Sequence, residues 1–200
     1  FEAAVAAFWI DRTEVTNAQF AEFVAATGYR TLAERGVQLA PGNDSAVVAG
    51  SGVFRPQAEG SSVRGQEAWW QFVPGASWRE PEGPGSSLAG REDYPVVHVA
   101  WEDAAAYAAW KGRSLPTEAQ FEYAAQTSTR KNAAGAHAAN TWQGLFPAHN
   151  EPVDGFEHAA PVACYEPNEL GLYDAIGNVW EWTSSVYYPR HDFAARAEHP

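Results

Sequence analysis

Hydrophobic and polar positions along this chain change rhythm every few residues, and three stretches carry the period of a helix. The first follows Thr16, which has the spacing of a capping box with Gln19. Phe20, Phe23 and Val24 then fall on one face before Gly28 ends the run. The second runs from about 102 to 110 and stops at Lys111-Gly112. The third opens at Thr117, paired with Gln120 just after Pro116, and continues through Phe121, Tyr123 and Ala124.

Short extended pieces are expected elsewhere. Phe8-Trp9-Ile10 reads as a buried strand that leads through residues 11–15 into the first helix. The β-branched run 94–99 after Asp93 leads into the second, and 160–164 reads as another short strand. Residues 29 to about 65 are Gly, Pro, Ser and Ala with valines at 47, 48 and 53, a long loop with room for one hairpin. The tryptophan-rich run 69–78 then precedes a turn-rich arm, 79–85. No repeat, heptad or membrane-spanning pattern interrupts this order.

Composition sharpens the picture. A chain of 200 residues with 46% hydrophobic content suits a single domain, 1–200, with a real core. Nine tryptophans, 17 glycines and 13 prolines point to loops held by aromatic packing instead of long regular elements. The net charge of −12 argues against nucleic acid and anionic membrane as partners, because phosphate binding needs a basic face. Cys164 is the sole cysteine, which excludes an internal disulfide and a multi-cysteine zinc site. In its expected strand it reads as a small buried hydrophobe. Residues 1–5 show no signal-peptide pattern, and the lack of any methionine suggests a processed or partial version of a longer polypeptide. Compartment, cytoplasmic or exported, and oligomeric state stay open.

The densest chemistry lies in the run 171–182, Gly-Leu-Tyr-Asp-Ala-Ile-Gly-Asn-Val-Trp-Glu-Trp. Asp174 and Glu181, with the carbonyls of Ala175, Gly177 and Val179, supply the oxygens that a hard cation such as calcium requires. Asn140 and Asp154, with the carbonyls of Thr141 and Phe156, form a second set of the same character. Neither set has EF-hand spacing, and the alternative for both is an aromatic turn whose polar groups cap neighbouring backbone. The six histidines show no ligand pair at helical spacing. Asp103, Glu118 and Glu122 sit at helix starts or on helical faces, where dipole pairing and solvation account for them. A Gly-x-Ser-x-Gly elbow, a phosphate loop and a dinucleotide fingerprint are all missing.

Several segments carry a resemblance in order over nearly the whole chain. They are 8–17, Trp69-Trp70, Trp78-Arg79-Glu80-Pro81-Glu82-Gly83-Pro84, 95–101, Leu115-Pro116-Thr117-Glu118-Ala119, Asn140-Thr141-Trp142-Gln143-Gly144 and Gly177-Asn178-Val179-Trp180-Glu181-Trp182. Together they resemble the formylglycine-generating enzyme family, the sulfatase-modifying factors. The resemblance implies an α+β, C-type-lectin-like fold with little regular secondary structure, stabilised by calcium. It places the family's calcium ligands at Asn140, Thr141, Asp154 and Phe156, and at Asp174, Ala175, Gly177, Val179 and Glu181. It implies a copper(I)-dependent oxidation of a cysteine in a sulfatase or other cysteine-containing polypeptide to formylglycine, with Trp180 lining the pocket.

One element of the family pattern is missing: the two copper-binding cysteines follow the Trp-Glu-Trp motif, and this chain ends at Pro200 before such a pair. Cys164 matches neither position. The run between Glu122 and Asn140 is also shorter than the family's, and Ser184-Ser185 replaces a usual acidic-Trp pair. The expectation is an oxidase for the parent protein and no activity for the 200-residue chain by itself. The alternative is a non-catalytic paralogue, a calcium-stabilised lectin-like or peptide-binding module.

Overall fold

The computed structural model describes residues 4–38, 46–56, 69–129 and 135–187. Helices form where the sequence carries its own termination signals. In α1 (Asn17–Thr27) Thr16 Oγ1 accepts from the Gln19 N–H at 3.2 Å, and Gln19 Oε1 accepts from the Thr16 N–H at 3.0 Å. Gly28 ends it in the left-handed region at φ 69°, where a side chain would be strained. A reciprocal cap of this kind is worth about 1 kcal/mol. The same device starts α4 (Glu118–Ala125) with Thr117 and Gln120, and a one-turn α2 (Leu32–Arg35) with Thr31 and Glu34. That last helix lies inside the stretch expected as loop, and its Thr-x-x-Glu spacing is the signal for it.

The N-terminus of α3 (Trp101–Trp110) is capped differently. Its N-cap is Ala100, and Asp103 accepts from the Ala100 N–H at 2.9 Å. Asp103 is 0% exposed and also accepts from Tyr29 Oη at 3.0 Å and from the Leu32 N–H at 3.0 Å. Solvation therefore does not account for this carboxylate; three donors satisfy it, and it fastens α2 to α3.

The core lies between α1 and α3, where Phe20, Phe23, Val24, Trp78 and Tyr107 cluster with Val15, Val96 and Val99 against them. Phe20 stacks on Tyr107 at 5.9 Å and meets Trp78 edge-on at 5.2 Å. Edge and offset contacts of this sort add about 1 kcal/mol each to the burial of the rings. The run 94–99 is held beside the entry to α1 by an isolated antiparallel bridge between Thr16 and Pro95, with the Val96 N–H donating to Val15 O at 2.9 Å.

Strands are few and short among the described residues. β1 (Val37–Gln38) pairs antiparallel with β2 (Val47–Val48). β3 (Gly50–Phe54) pairs antiparallel with β4 (Trp70–Pro74) in the register Gly50↔Pro74 to Phe54↔Trp70. The single expected hairpin is thus two strand pairs, and the second brings the tryptophan-rich run back onto the loop; residues 39–45 and 57–68 lie outside the described residues. Two strand expectations fail. Residues 8–10 form no strand, and Trp9 is 102% exposed. Residues 160–164 are a turn fixed by side-chain hydrogen bonds, and Cys164 is exposed instead of buried. Among the described residues no helix is long and apolar enough to cross a membrane.

Candidate functional site

A cavity of about 990 Å³ opens beside the core, walled by Trp9, Trp70, His98, Arg113, Trp180 and Trp182. The chain around it is fastened at several points. Trp182 Nε1 donates to Val99 O and Trp101 Nε1 to Thr183 O, both at 2.9 Å, and the Ser184 N–H donates to Pro116 O at 2.8 Å. These bonds lay residues 182–184 across the starts of α3 and α4. Trp180 is left 88% exposed with its ring 5.9 Å from that of Trp70. Two exposed indoles facing a cavity form an apolar wall suited to an extended ligand. His98 faces it in the left-handed region, φ 57°, with Nε2 2.7 Å from Pro81 O. Burial pushes its pKa below the usual imidazole value, outweighing the Pro81 carbonyl and Glu82, which favour the charged ring.

The loop 140–156 brings together all four residues of the first cation set. Asp154 accepts from the Thr141 N–H at 2.9 Å through Oδ2 and from the Phe156 N–H at 3.2 Å through Oδ1. Thr141 O accepts from Gln143 Nε2 at 3.0 Å, and Asn140 Nδ2 donates to His158 O at 2.8 Å. Both carboxylate oxygens of Asp154 therefore have donors. They retain further lone pairs, so this set is compatible with a cation without requiring one.

The loop 174–181 forms the floor of the same cavity, and its charges are less well met. Asp174 is 9% exposed and adopts φ 52°; Oδ2 accepts from the Ala163 N–H at 2.7 Å, but Oδ1 is buried with no hydrogen-bond partner. Burial lifts its pKa, against the pull of the Ala163 N–H. Glu14 stands against this loop from the N-terminal segment, 6% exposed, with Oε2 accepting from Asn178 Nδ2 at 3.1 Å and Oε1 buried without a partner. Its pKa is pushed up to about 8, first by burial and next by the charge of Asp174. The Val179 N–H pulls the other way without reaching hydrogen-bond geometry. Glu181 is pushed up to about 7 by burial and then Asp174. Its surface is nevertheless open to water, which damps that rise, so Glu14 and Asp174 carry the charge problem of this loop.

Asn178 joins the two loops. Its N–H donates to Asn140 O at 2.8 Å, and its Oδ1 accepts from Asn140 Nδ2 at 3.1 Å and from the Ala160 N–H at 2.8 Å. Gly177 makes this approach possible: at φ 87°, a Cβ built there would lie 2.1 Å from Asn140 O. Within the described residues no three His, Cys, Asp or Glu side chains converge on a common metal position. A cation in either loop would draw on one or two carboxylates completed by main-chain oxygens, with the Asn140 amide added in the first, which is what the expected sets contain. By this test the orphaned oxygen of Asp174, with that of Glu14 set against the same loop, fits a hard cation. A two-thiolate copper(I) site does not fit: Cys164 is the one cysteine of the 200 residues, and burial and Asp174 raise its thiol pKa.

Glu14 and Asn178 were absent from the expected sets. Glu14 follows the polar triplet Asp11-Arg12-Thr13 and lies two residues before a helix cap, so its local pattern is that of a surface acid. Asn178 carried a signal, an amide between a glycine and a valine in a tight loop, but its partners lie as much as 164 residues away.

Comparison with known proteins gives the kinship. The chain is 48% identical over 198 residues to the formylglycine-generating enzyme of Mycobacterium tuberculosis, covering 94% of this chain and 66% of that protein. It is 42% identical over 197 residues to the formylglycine-generating enzyme of Bos taurus, with 94% and 51% covered. It is also 42% identical over 201 residues to the inactive C-alpha-formylglycine-generating enzyme 2 of Mus musculus, with 94% and 61% covered. The chain thus spans between half and two thirds of the length of these relatives. The family model of the sulfatase-modifying factor enzyme 1-like domain matches residues 2–197, and the chain belongs to that family.

Proposed function

We propose that this chain is the peptide-binding body of an enzyme that converts a cysteine of a sulfatase or similar polypeptide to formylglycine. The observation that carries this reading is 48% identity, across 94% of the chain, to a formylglycine-generating enzyme. The cavity beside Trp180 and Trp70 offers the substrate an apolar wall, and the acidic net charge suits a peptide that carries arginine near its cysteine. Preformed loops around the groove reduce the ordering cost of an extended peptide. Calcium in the loops 140–156 and 174–181 would supply that rigidity, held by Asn140, Thr141, Asp154 and Phe156 in one, and by Asp174, Ala175, Gly177, Val179 and Glu181 in the other. A C-type-lectin-like arrangement of these loops belongs to the same reading. Copper(I) would supply the oxidative chemistry, on thiolates from other parts of the parent polypeptide, and no step through it is assigned to these residues.

A second reading is a non-catalytic module, and one observation favours it: the relative named inactive matches this chain at 42%, the same as the bovine enzyme. Overall identity therefore does not separate the two. The parent polypeptide, given a peptide of Cys-x-Pro-x-Arg type with copper and oxygen, should yield an aldehyde detectable by hydrazide labelling and mass spectrometry. Peptide binding without aldehyde would establish the second reading, and neither binding nor aldehyde would sink both.

A further inference from the structure

We propose that Glu14 is a positioning and charge-balancing residue for a hard divalent cation in the 174–181 loop, so that the cation clasps the N-terminal segment to that loop. The inference rests on the reading that this loop holds calcium, and it adds a residue from a distant part of the chain.

Two buried carboxylate oxygens, Glu14 Oε1 and Asp174 Oδ1, have no hydrogen-bond donor. They belong to side chains 6% and 9% exposed whose charges repel each other. A folded protein leaves one such oxygen rarely, and two facing the same short loop is an arrangement that a bound positive charge resolves. The other oxygen of Glu14 holds Asn178 Nδ2. Asn178 lies between Gly177 and Val179, whose carbonyls belong to the cation set, so Glu14 reaches the cation position through the backbone that it orients.

The N-terminal segment is fastened to the same region independently. The Tyr173 N–H donates to Arg12 O at 2.8 Å, Arg12 Nε donates to Gly171 O at 3.2 Å, and the Arg12 guanidinium lies over the Tyr173 ring at 5.2 Å. Residues 12 and 14 therefore grip the loop at both sides of Asp174. The three acids do not converge as direct ligands, which places Glu14 behind the loop and leaves first contact with the cation to Asp174 and the carbonyls.

The test is calorimetric titration of calcium into the chelator-stripped chain, paired with melting curves in chelator and in calcium. Glu14→Gln keeps an acceptor for Asn178 and removes only the charge. Calcium affinity at one site should fall by about 10-fold or more, the calcium-induced rise in Tm should shrink, and Tm in chelator should hold or rise. A purely structural Glu14 would instead lower Tm in chelator and leave calcium affinity unchanged, and that result overturns the proposal. Asp174→Asn separates the two levels of inference. If it abolishes one calcium site while Glu14→Gln binds as the parent does, the loop keeps its cation and Glu14 loses its role. If the parent chain binds no calcium, both fall.

Discussion

The carboxylates of Asp154 and Asp174 lie in adjoining loops that share the Asn140–Asn178 contact, and they meet opposite surroundings. Asp154 curls back on its own loop and takes two main-chain N–H donors, one to each oxygen. Asp174 takes one donor, leaves its second oxygen buried and bare, and faces Glu14 from another part of the chain. The first loop is held by its own hydrogen bonds, while the second is held together by neighbours and is short of positive charge. The same residue type thus does different work: half-buried Asp154 closes a turn, while buried Asp174 is left with an unanswered oxygen, the place proposed for a cation.

The sharpest way to break this pair is at their contact. Gly177→Ala would drive a Cβ into Asn140 O in a backbone conformation that disfavours it, and should lower stability by about 3 kcal/mol or more. A thermal melt reads this, and calcium should not restore it. The next effect is on pH. The pKa of Glu14 rises from 4.5 to about 8 on folding, so between those values the folded chain holds a proton that the unfolded chain releases. Its contribution is fully present below about pH 4.5 and is lost as pH rises through about 8. In chelator, urea midpoints should therefore fall from pH 5 to pH 8 by the equivalent of several kcal/mol. Saturating calcium should flatten that slope, and an identical slope with and without the ion would remove the contrast between the loops.

Smaller changes sharpen the comparison. Asp154→Ala strands the N–H groups of Thr141 and Phe156 and should cost about 2 kcal/mol in chelator, and more in calcium, where it also removes a proposed ligand. Asp174→Asn should do the reverse, stabilising the chain in chelator by about 1 kcal/mol and losing most of the calcium-dependent gain in Tm. Trp180→Ala lies outside both loops' hydrogen bonds, and at 88% exposure it should change stability by less than about 0.5 kcal/mol. Its effect belongs to the groove, where peptide binding measured by fluorescence anisotropy should weaken.

The sequence by itself determined what is settled within a few residues. Thr16 with Gln19 and Thr117 with Gln120 start helices because a side chain three positions away answers the backbone, and Gly28 ends α1 because only glycine is unstrained there. That the oxygen donors of each expected set lie close together was legible because each set falls within one loop. Only the tertiary structure decided the rest. Phe8-Trp9-Ile10 has the composition of a buried strand, yet Trp9 stands exposed at the cavity, since hydrophobicity does not say whether a partner strand is present. Residues 160–164 form a turn because Asn178 and Asp174 take the N–H groups of Ala160 and Ala163. Glu14 became part of the site in the same way: its burial, its bond to Asn178 and its repulsion by Asp174 arise from a segment some 160 residues downstream, a distance across which no local pattern carries information.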